Sequence, residues 1–346
     1  MLLSDFNFDL PSELIAQDPL KKRDSSRLLV LNRNTSSLSH KIFSDLVNLL
    51  DDNCVLVLNE TKVFSSRLYA TKKTGSIHEI LLTKKIDAFS WECLIRHGKR
   101  VKAEDVLNVL DREKKESSAK IKIKEKFTNG TVKIEYFDDK KNNILDFAFL
   151  ALPPYIKKKL DDDNKYQTLY ASKEGSVAAP TAGLHFTKDL IKALTDKGVK
   201  MEYVTLHIGL GTFAPIREED FDQHKMHMES YYIGKDTLNR LNNYKKKGKR
   251  IILVGTTTLR AIESSVAQDG FLKEEFGDTE IFIKPGYKFR FCEELITNFH
   301  LPKSSLLLLV SALASRENIL KAYNEAVKDK YRFFSFGDAM FITDHY

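Results

Sequence analysis

Hydrophobic positions along the chain fall into two textures. In the first, continuous apolar runs alternate with amphipathic stretches. "CVLVLN" (54–59) is apolar almost throughout and of strand length, the mark of a strand buried on both faces. "KIFSDLVNLL" (41–50) spaces its apolar residues as a short amphipathic helix. From residue 166 the alternation resumes. Strands are predicted at 201–209, 250–255, 279–286 and 337–344, and helices at 187–198, 235–248, 256–267, 304–315 and 316–331. In the helix at 187–198, Thr187 supplies a cap, Leu190, Ile191 and Leu194 form one stripe, and Gly198 is the stop. Strand–helix alternation of this kind predicts an α/β fold, a mostly parallel sheet covered by helices.

The second texture occupies residues 69–150. It is lysine-rich, with short alternating runs such as "SIHEILL", "WECLIR", "AKIKIKEKF" and "TVKIEYF", the pattern of half-exposed strands. "TNGT" (128–131) carries an Asn-Gly hairpin signal. A small β-rich domain at 69–150 is therefore expected inside an α/β domain made of 1–68 and 151–346. "ALPPYIKKKLDDDNK" (151–165), with paired prolines and a charge cluster, reads as the return linker. The 346 residues suit about two domains.

Composition narrows the class. Hydrophobic residues at 42% and charged residues at 30% fit an ordinary globular protein. Cys54, Cys93 and Cys292 are scattered with no CxxC pair, so neither a disulfide framework nor a zinc site is indicated and a cytoplasmic location is expected. "MLLSDFNFDL" meets acids too early for a signal peptide, and the longest apolar run, "LLLLV" (306–310), is too short to span a bilayer. The net charge of +7 is compatible with a polyanionic partner; the excess of lysine over arginine is equally what a lysine-rich proteome produces.

Candidate chemistry gathers in shaped loops. "AAPTAGLHFT" (178–187) delivers His185 through Pro180 and Gly183 to a helix N-terminus. "VGTTTLRAIES" passes from strand to helix through Gly255 and Thr256, Thr257 and Thr258, a turn suited to a carboxylate or phosphate; one threonine can simply cap the helix. Arg260, one turn on, is available to the same ligand or to Glu263 across the helix surface. "LHIGLGTFAPI" carries His207 with a Gly209-x-Gly211 pair, and "TNFHLPKS" carries His300 before a proline. "DQHKMHME" groups His224, His227 and Glu229, read as a polar network or substrate contact rather than a metal site. "KYRFFSFGDAM" sets Arg332 among Phe333, Phe334 and Phe336, suited to stacking a base or to core packing. No GxGxxG, GxxxxGK[ST] or kinase signature is present. The residues alone indicate an α/β enzyme with an anionic substrate.

Together these segments resemble the S-adenosylmethionine:tRNA ribosyltransferase-isomerase family of queuosine biosynthesis. The matching pieces include "SDFNFDLPSELIAQDPL", "VLNETKVFSSRL", "YQTLYASKEGSVAAPTAGLHFT", "VTLHIGLGTFAPI", "HKMHME", "VGTTTLRAIES", "LITNFHLPKSSLLLLVSALA" and "YRFFSFGDAMFIT", in family order along the chain. Departures are Ala151 before the paired prolines, lysines where an arginine commonly follows, and Cys292-Glu293 before "ELITNFH". The resemblance implies a barrel-like or sheet-based α/β domain with an inserted β-barrel-like domain. It implies transfer of the ribosyl group of S-adenosylmethionine to 7-aminomethyl-7-deazaguanine at the tRNA wobble position, with adenine and methionine released. It implies no metal and no cofactor beyond the consumed co-substrate, and a monomer is expected. Under this reading His185, His300 and His207 are the candidate acid–base groups, His185 being otherwise a ligand of its own loop backbone. Thr181, Gly183, Thr256, Thr257, Thr258 and Arg260 are expected to hold S-adenosylmethionine. Lys245, Lys246, Lys247, Arg332 and Phe334 are expected to meet tRNA.

Overall fold

The computed structural model describes residues 2–128, 130–158, 160–209, 216, 219–224 and 226–346. In chain order its strands are β1 (Arg27–Asn32), β2 (Leu38–Ile42), β3 (Cys54–Asn59), β4 (Thr61–Val63), β5 (Arg67–Thr71), β6 (Ile77–Lys85), β7 (Ser90–Ile95), β8 (Val106–Leu110), β9 (Glu116–Lys126), β10 (Val132–Asp138), β11 (Lys173–Ser176), β12 (Lys200–Leu206), β13 (Glu229–Tyr232), β14 (Arg250–Val254), β15 (Phe276–Thr279), β16 (Glu294–Asn298) and β17 (Ala339–Thr343). The helices are α1 (Leu46–Leu49), α2 (Lys188–Asp196), α3 (Lys235–Lys246), α4 (Thr256–Ser265), α5 (Ser305–Ala314) and α6 (Arg316–Lys328).

Two compact units result, Met1–Lys62 with Pro154–Tyr346, and Val63–Pro153. The borders differ by a few residues from those expected, because Arg67 and Leu68 pair into β5.

The first unit is built on a nine-stranded sheet of order β15-β13-β12-β3-β14-β16-β17-β1-β2. The sheet is mixed rather than mostly parallel. β12, β3, β14 and β16 run parallel at its centre, β16 and β17 meet antiparallel, and the outer strands β2, β13 and β15 join by antiparallel pairing. Strand alternation sends side chains to two faces. Val55 and Val57 of β3 pack with Leu241 of α3, Leu259 of α4, Leu307 of α5 and Ile319 of α6. Cys54, Leu56 and Leu58 pack on the other face with Leu46 of α1 and with Leu190 and Leu194 of α2. Thr187 Oγ1 accepts from the Leu190 N–H, so the predicted cap of α2 forms.

Two predicted elements change. Residues 41–50 are not one helix: Lys41 and Ile42 pair with β1, leaving α1 a single turn. The strand predicted at 279–286 stops at Thr279, and residues 280–286 are irregular.

The second unit is a closed six-stranded antiparallel barrel, β10-β7-β6-β5-β8-β9. Leu68, Ile80, Cys93, Ile95, Leu107, Ile121, Ile123 and Ile134 are buried in it. Asn129 of the hairpin signal lies outside the described residues.

Candidate active site

In an open α/β sheet, ligands bind beyond the carboxyl ends of the strands. Here a cavity of about 430 Å³ opens at that edge of the first unit. β14 ends there and passes into Gly255, Thr256 and Thr257; β16 ends there at Asn298 and passes into Phe299, His300 and Leu301. Because β17 runs antiparallel to β16, with Asn298 opposite Ala339, the segment preceding β17 reaches the same edge and contributes Phe334 and Ser335. The turn before α2 adds Ala179, Pro180, Thr181 and Ala182.

The threonine turn is not a capping device. Gly255, at φ 90°, occupies the N-cap position of α4 with no side-chain cap. Thr258 Oγ1 instead donates to the Val254 carbonyl at 2.6 Å and stays buried off the cavity. Thr257 Oγ1 accepts from Asn59 Nδ2 at 3.1 Å. Thr256 and Thr257 line the cavity, and the first turn of a helix leaves N–H groups without intrahelical partners.

Asn59, at the end of β3, ties three strand ends together. Its Nδ2 also donates to the Leu206 carbonyl, and its Oδ1 accepts from Leu206 N–H and Thr61 N–H.

The three histidines separate. His300 lines the cavity, with Nδ1 3.1 Å from Tyr323 Oη and Nε2 3.3 Å from Thr297 Oγ1. His185 does not line it: Nδ1 lies 2.7 Å from Ser26 Oγ, Nε2 3.1 Å from Asn298 Nδ2, and Phe43 stacks on the ring at 4.8 Å. His207 also stands off the cavity, 2.8 Å from Thr61 Oγ1 and directly against Gly175, where a Cβ would sit 2.7 Å from the ring.

Burial pushes His185 down to about 4 and His300 down to about 3, and lowers His207 as well. Both fully buried rings are therefore neutral at neutral pH. An unfolded chain takes up protons on these residues below about pH 6.5, which the folded chain refuses until much lower pH. Stability is expected to be complete above pH 6.5 and to fall as pH drops toward 4, by up to about 1.4 kcal/mol per unit for each ring. Urea midpoints at pH 7 and pH 5 read this. His300→Gln should flatten the dependence; an equally steep fall in that variant would contradict it.

The remaining expected site residues lie as follows. Thr181 lines the cavity and donates to Asn298 Oδ1 at 3.0 Å. Gly183 sits beneath the hydroxyl of Tyr170, where a Cβ would clash, and is not on the wall. Arg260 points away from the cavity into a buried ion pair with Glu229, not toward Glu263. Glu263 instead accepts from Tyr287 Oη and from the N–H groups of Arg290, Phe291 and Cys292. Phe334 lines the cavity, its ring 4.1 Å from Tyr155. Arg332 bonds the buried Asp338 at 3.1 Å. Lys245, Lys246 and Lys247 lie at the opposite end of β14 from the cavity, roughly 16 Å along the strand. There Lys245 is held by the Arg290 carbonyl and the Phe291 ring, and Lys246 lies over Phe271.

Gly211 lies outside the described residues. Glu229 is committed to Arg260 and Gly209 N–H, and His224 lies against Phe282. Among the described residues one group has metal-ligand spacing, His40, Glu325 and Asp329, away from the cavity; Arg27 already contacts Asp329 there. Sequence reasoning missed Asn59, Tyr155 and Asn298.

The comparisons agree along the whole chain. The queuosine biosynthesis protein family matches residues 3–342. The S-adenosylmethionine:tRNA ribosyltransferase-isomerase of Acetivibrio thermocellus is 50% identical over 99% of this chain and 100% of its own length. The enzyme of the same name from Clostridioides difficile is 46% identical over 99% and 100%. The crystal structure of S-adenosylmethionine tRNA ribosyltransferase from Thermotoga maritima is 36% identical, with a TM-score of 0.57 over 98% of this chain and 100% of that one. No helix among the described residues is long and apolar enough to cross a membrane. On this continuous match, the chain belongs to the queuosine biosynthesis protein family, whose relatives are S-adenosylmethionine:tRNA ribosyltransferase-isomerases.

Proposed function

We propose that this enzyme transfers and isomerises the ribosyl group of S-adenosylmethionine onto 7-aminomethyl-7-deazaguanine at the wobble position of tRNA. The product is epoxyqueuosine-tRNA, and adenine and methionine leave. The observation that carries the reading is the cavity, whose lining includes both the helix start at Thr256 and Thr257 and the aromatic residues Tyr155, Phe299 and Phe334. The first suits the methionine carboxylate, through unpaired donors and the positive end of the α4 dipole. The second suits a flat heterocycle. The sulfonium acidifies the ribose 5′ carbon, so that a base can take a proton there and form an ylide. In the rearrangement the bond from ribose to adenine breaks and adenine takes a proton. The aminomethyl nitrogen loses a proton as it bonds the ribosyl carbon skeleton, and the C–S bond breaks with its electron pair going to sulfur, which leaves as methionine. The bond changes are internal to the two substrates, so the reading needs no metal and no redox cofactor. It assigns His300 to the cavity wall as a neutral hydrogen-bonding imidazole, and it lets His185 and His207 act through Asn298 and Thr61. Arg332 and Phe334 are the expected tRNA-side residues, and the enzyme is expected to work as a cytoplasmic monomer.

Thr257→Val should weaken S-adenosylmethionine binding by about three- to tenfold, the worth of one hydrogen bond, while tRNA binding is kept. Isothermal titration with each ligand tests this. Unchanged donor affinity would remove Thr257 from the donor site.

A further inference from the structure

Asn298 ends β16, is buried, and lines the cavity. Its amide is held from two sides. Thr181 Oγ1 donates to Oδ1 at 3.0 Å. On the other side Nδ2 lies 3.5 Å from the Asp338 carbonyl, which can only accept, and 3.1 Å from His185 Nε2. An amide nitrogen can only donate, so His185 Nε2 accepts. Its proton then rests on Nδ1, which donates to Ser26 Oγ at 2.7 Å. The stacked Phe43 holds the ring plane. Both ring nitrogens of His185 are thus committed, and its ring is off the cavity wall. Asn298 Oδ1 has two lone pairs and uses one of them among the described residues.

We infer that Asn298, through Oδ1, accepts a hydrogen bond from a hydroxyl or amino group of the bound S-adenosylmethionine, and that His185 is a positioning residue that fixes the Asn298 amide for this contact. The inference rests on the reading that the cavity takes S-adenosylmethionine. A carbonyl oxygen on a cavity-lining residue that uses one lone pair can accept one further hydrogen bond from a bound donor. Without His185 the amide nitrogen keeps only the long 3.5 Å contact to the Asp338 carbonyl, so its orientation is held more loosely, and a turned amide would aim NH₂ at Thr181.

The test is S-adenosylmethionine binding by isothermal titration to the full chain and to His185→Ala, His185→Gln, Asn298→Ala and the double alanine variant. A glutamine at 185 can offer its own carbonyl oxygen to Asn298 Nδ2 but cannot act as a proton acceptor. Asn298→Ala and His185→Ala should each weaken binding by about tenfold, and the double variant should bind no more weakly than Asn298→Ala alone. His185→Gln should stay within about threefold of the unaltered chain. Wild-type affinity in Asn298→Ala, or His185→Gln as weak as His185→Ala, overturns the inference. Should His185→Ala fail to fold, Asn298→Ala and His185→Gln carry the test: a tenfold loss in the first with near-normal binding in the second supports it, and any other pairing overturns it. An unaltered chain that binds no S-adenosylmethionine overturns instead the reading of the cavity.

Discussion

Glu229→Ala is expected to destabilise the first unit by about 3–5 kcal/mol, the usual cost of breaking a buried ion pair from one side. Both side chains are almost wholly enclosed, at 1% and 3% exposure for Glu229 and Arg260. Arg260 Nη1 bonds Glu229 Oε2, and Glu229 Oε1 accepts from the Gly209 N–H. Arg260 Nε and Nη2 already find no partner among the described residues. Removing the carboxylate leaves a guanidinium in a low-dielectric pocket with no other partner among the described residues to offset its desolvation. The pair also joins α4, whose first turn lines the cavity, to β13, so local loosening should reach the cavity. Replacing both residues with apolar ones of similar volume, Glu229→Leu with Arg260→Met, should recover much of the loss. Urea unfolding of the singles and the double measures this. A double variant as unstable as Glu229→Ala would show that packing, not charge, dominates there.

Gly337→Ala is expected to cost about 1–3 kcal/mol and to impair donor binding, because a Cβ there meets backbone rather than a yielding side chain. It would lie 2.5 Å from the Arg332 carbonyl oxygen and 2.5 Å from the Phe333 carbonyl carbon. The turn it closes is tight: Gly337 N–H donates to the Phe334 carbonyl and Asp338 N–H to that of Arg332, both at 2.8 Å. Phe334 sits in it at φ 73°, a left-handed conformation that costs an aromatic residue energy and is held by these bonds. Opening the turn moves Phe334 and Ser335, two residues of the cavity wall. Thermal unfolding and S-adenosylmethionine titration together read both effects. Normal stability with normal affinity would mean the turn adapts without cost.

How much was legible in the sequence depends on what hides a side chain's role. β3 was plain because burial on both faces leaves no polar position before Asn59, and α2 because cap, stripe and stop all agree. β16 was not: it opens on Glu294, a residue that reads as surface but is buried by bidentate bonding to Arg250 and by Thr343 Oγ1. The split of residues 41–50 is a tertiary effect, since pairing with β1 overrides helical spacing. At the site, the strand-to-helix turn at Thr256 and Thr257 announced itself by composition. Tyr155 lay in a stretch that reads as linker, and Asn298 is one polar residue at a strand end, a position with no periodic signature. The shape of the 178–187 loop was readable, and the tight fit of Gly183 beneath Tyr170 accords with it. Which way the imidazole of His185 turns is set by Ser26 and Asn298, residues 159 and 113 positions away, which no local pattern encodes.

Ribosyl transfer to tRNA can be read from both of its products at once. The full chain is incubated with S-adenosylmethionine labelled in its ribose and with tRNA bearing 7-aminomethyl-7-deazaguanine at the wobble position. Free adenine and the label on tRNA are then followed together. One adenine is expected for each labelled ribosyl group appearing on the wobble nucleoside, with methionine as co-product. Adenine release without label on tRNA, label independent of the deazaguanine, or transfer of the donor's methyl group in its place would contradict it.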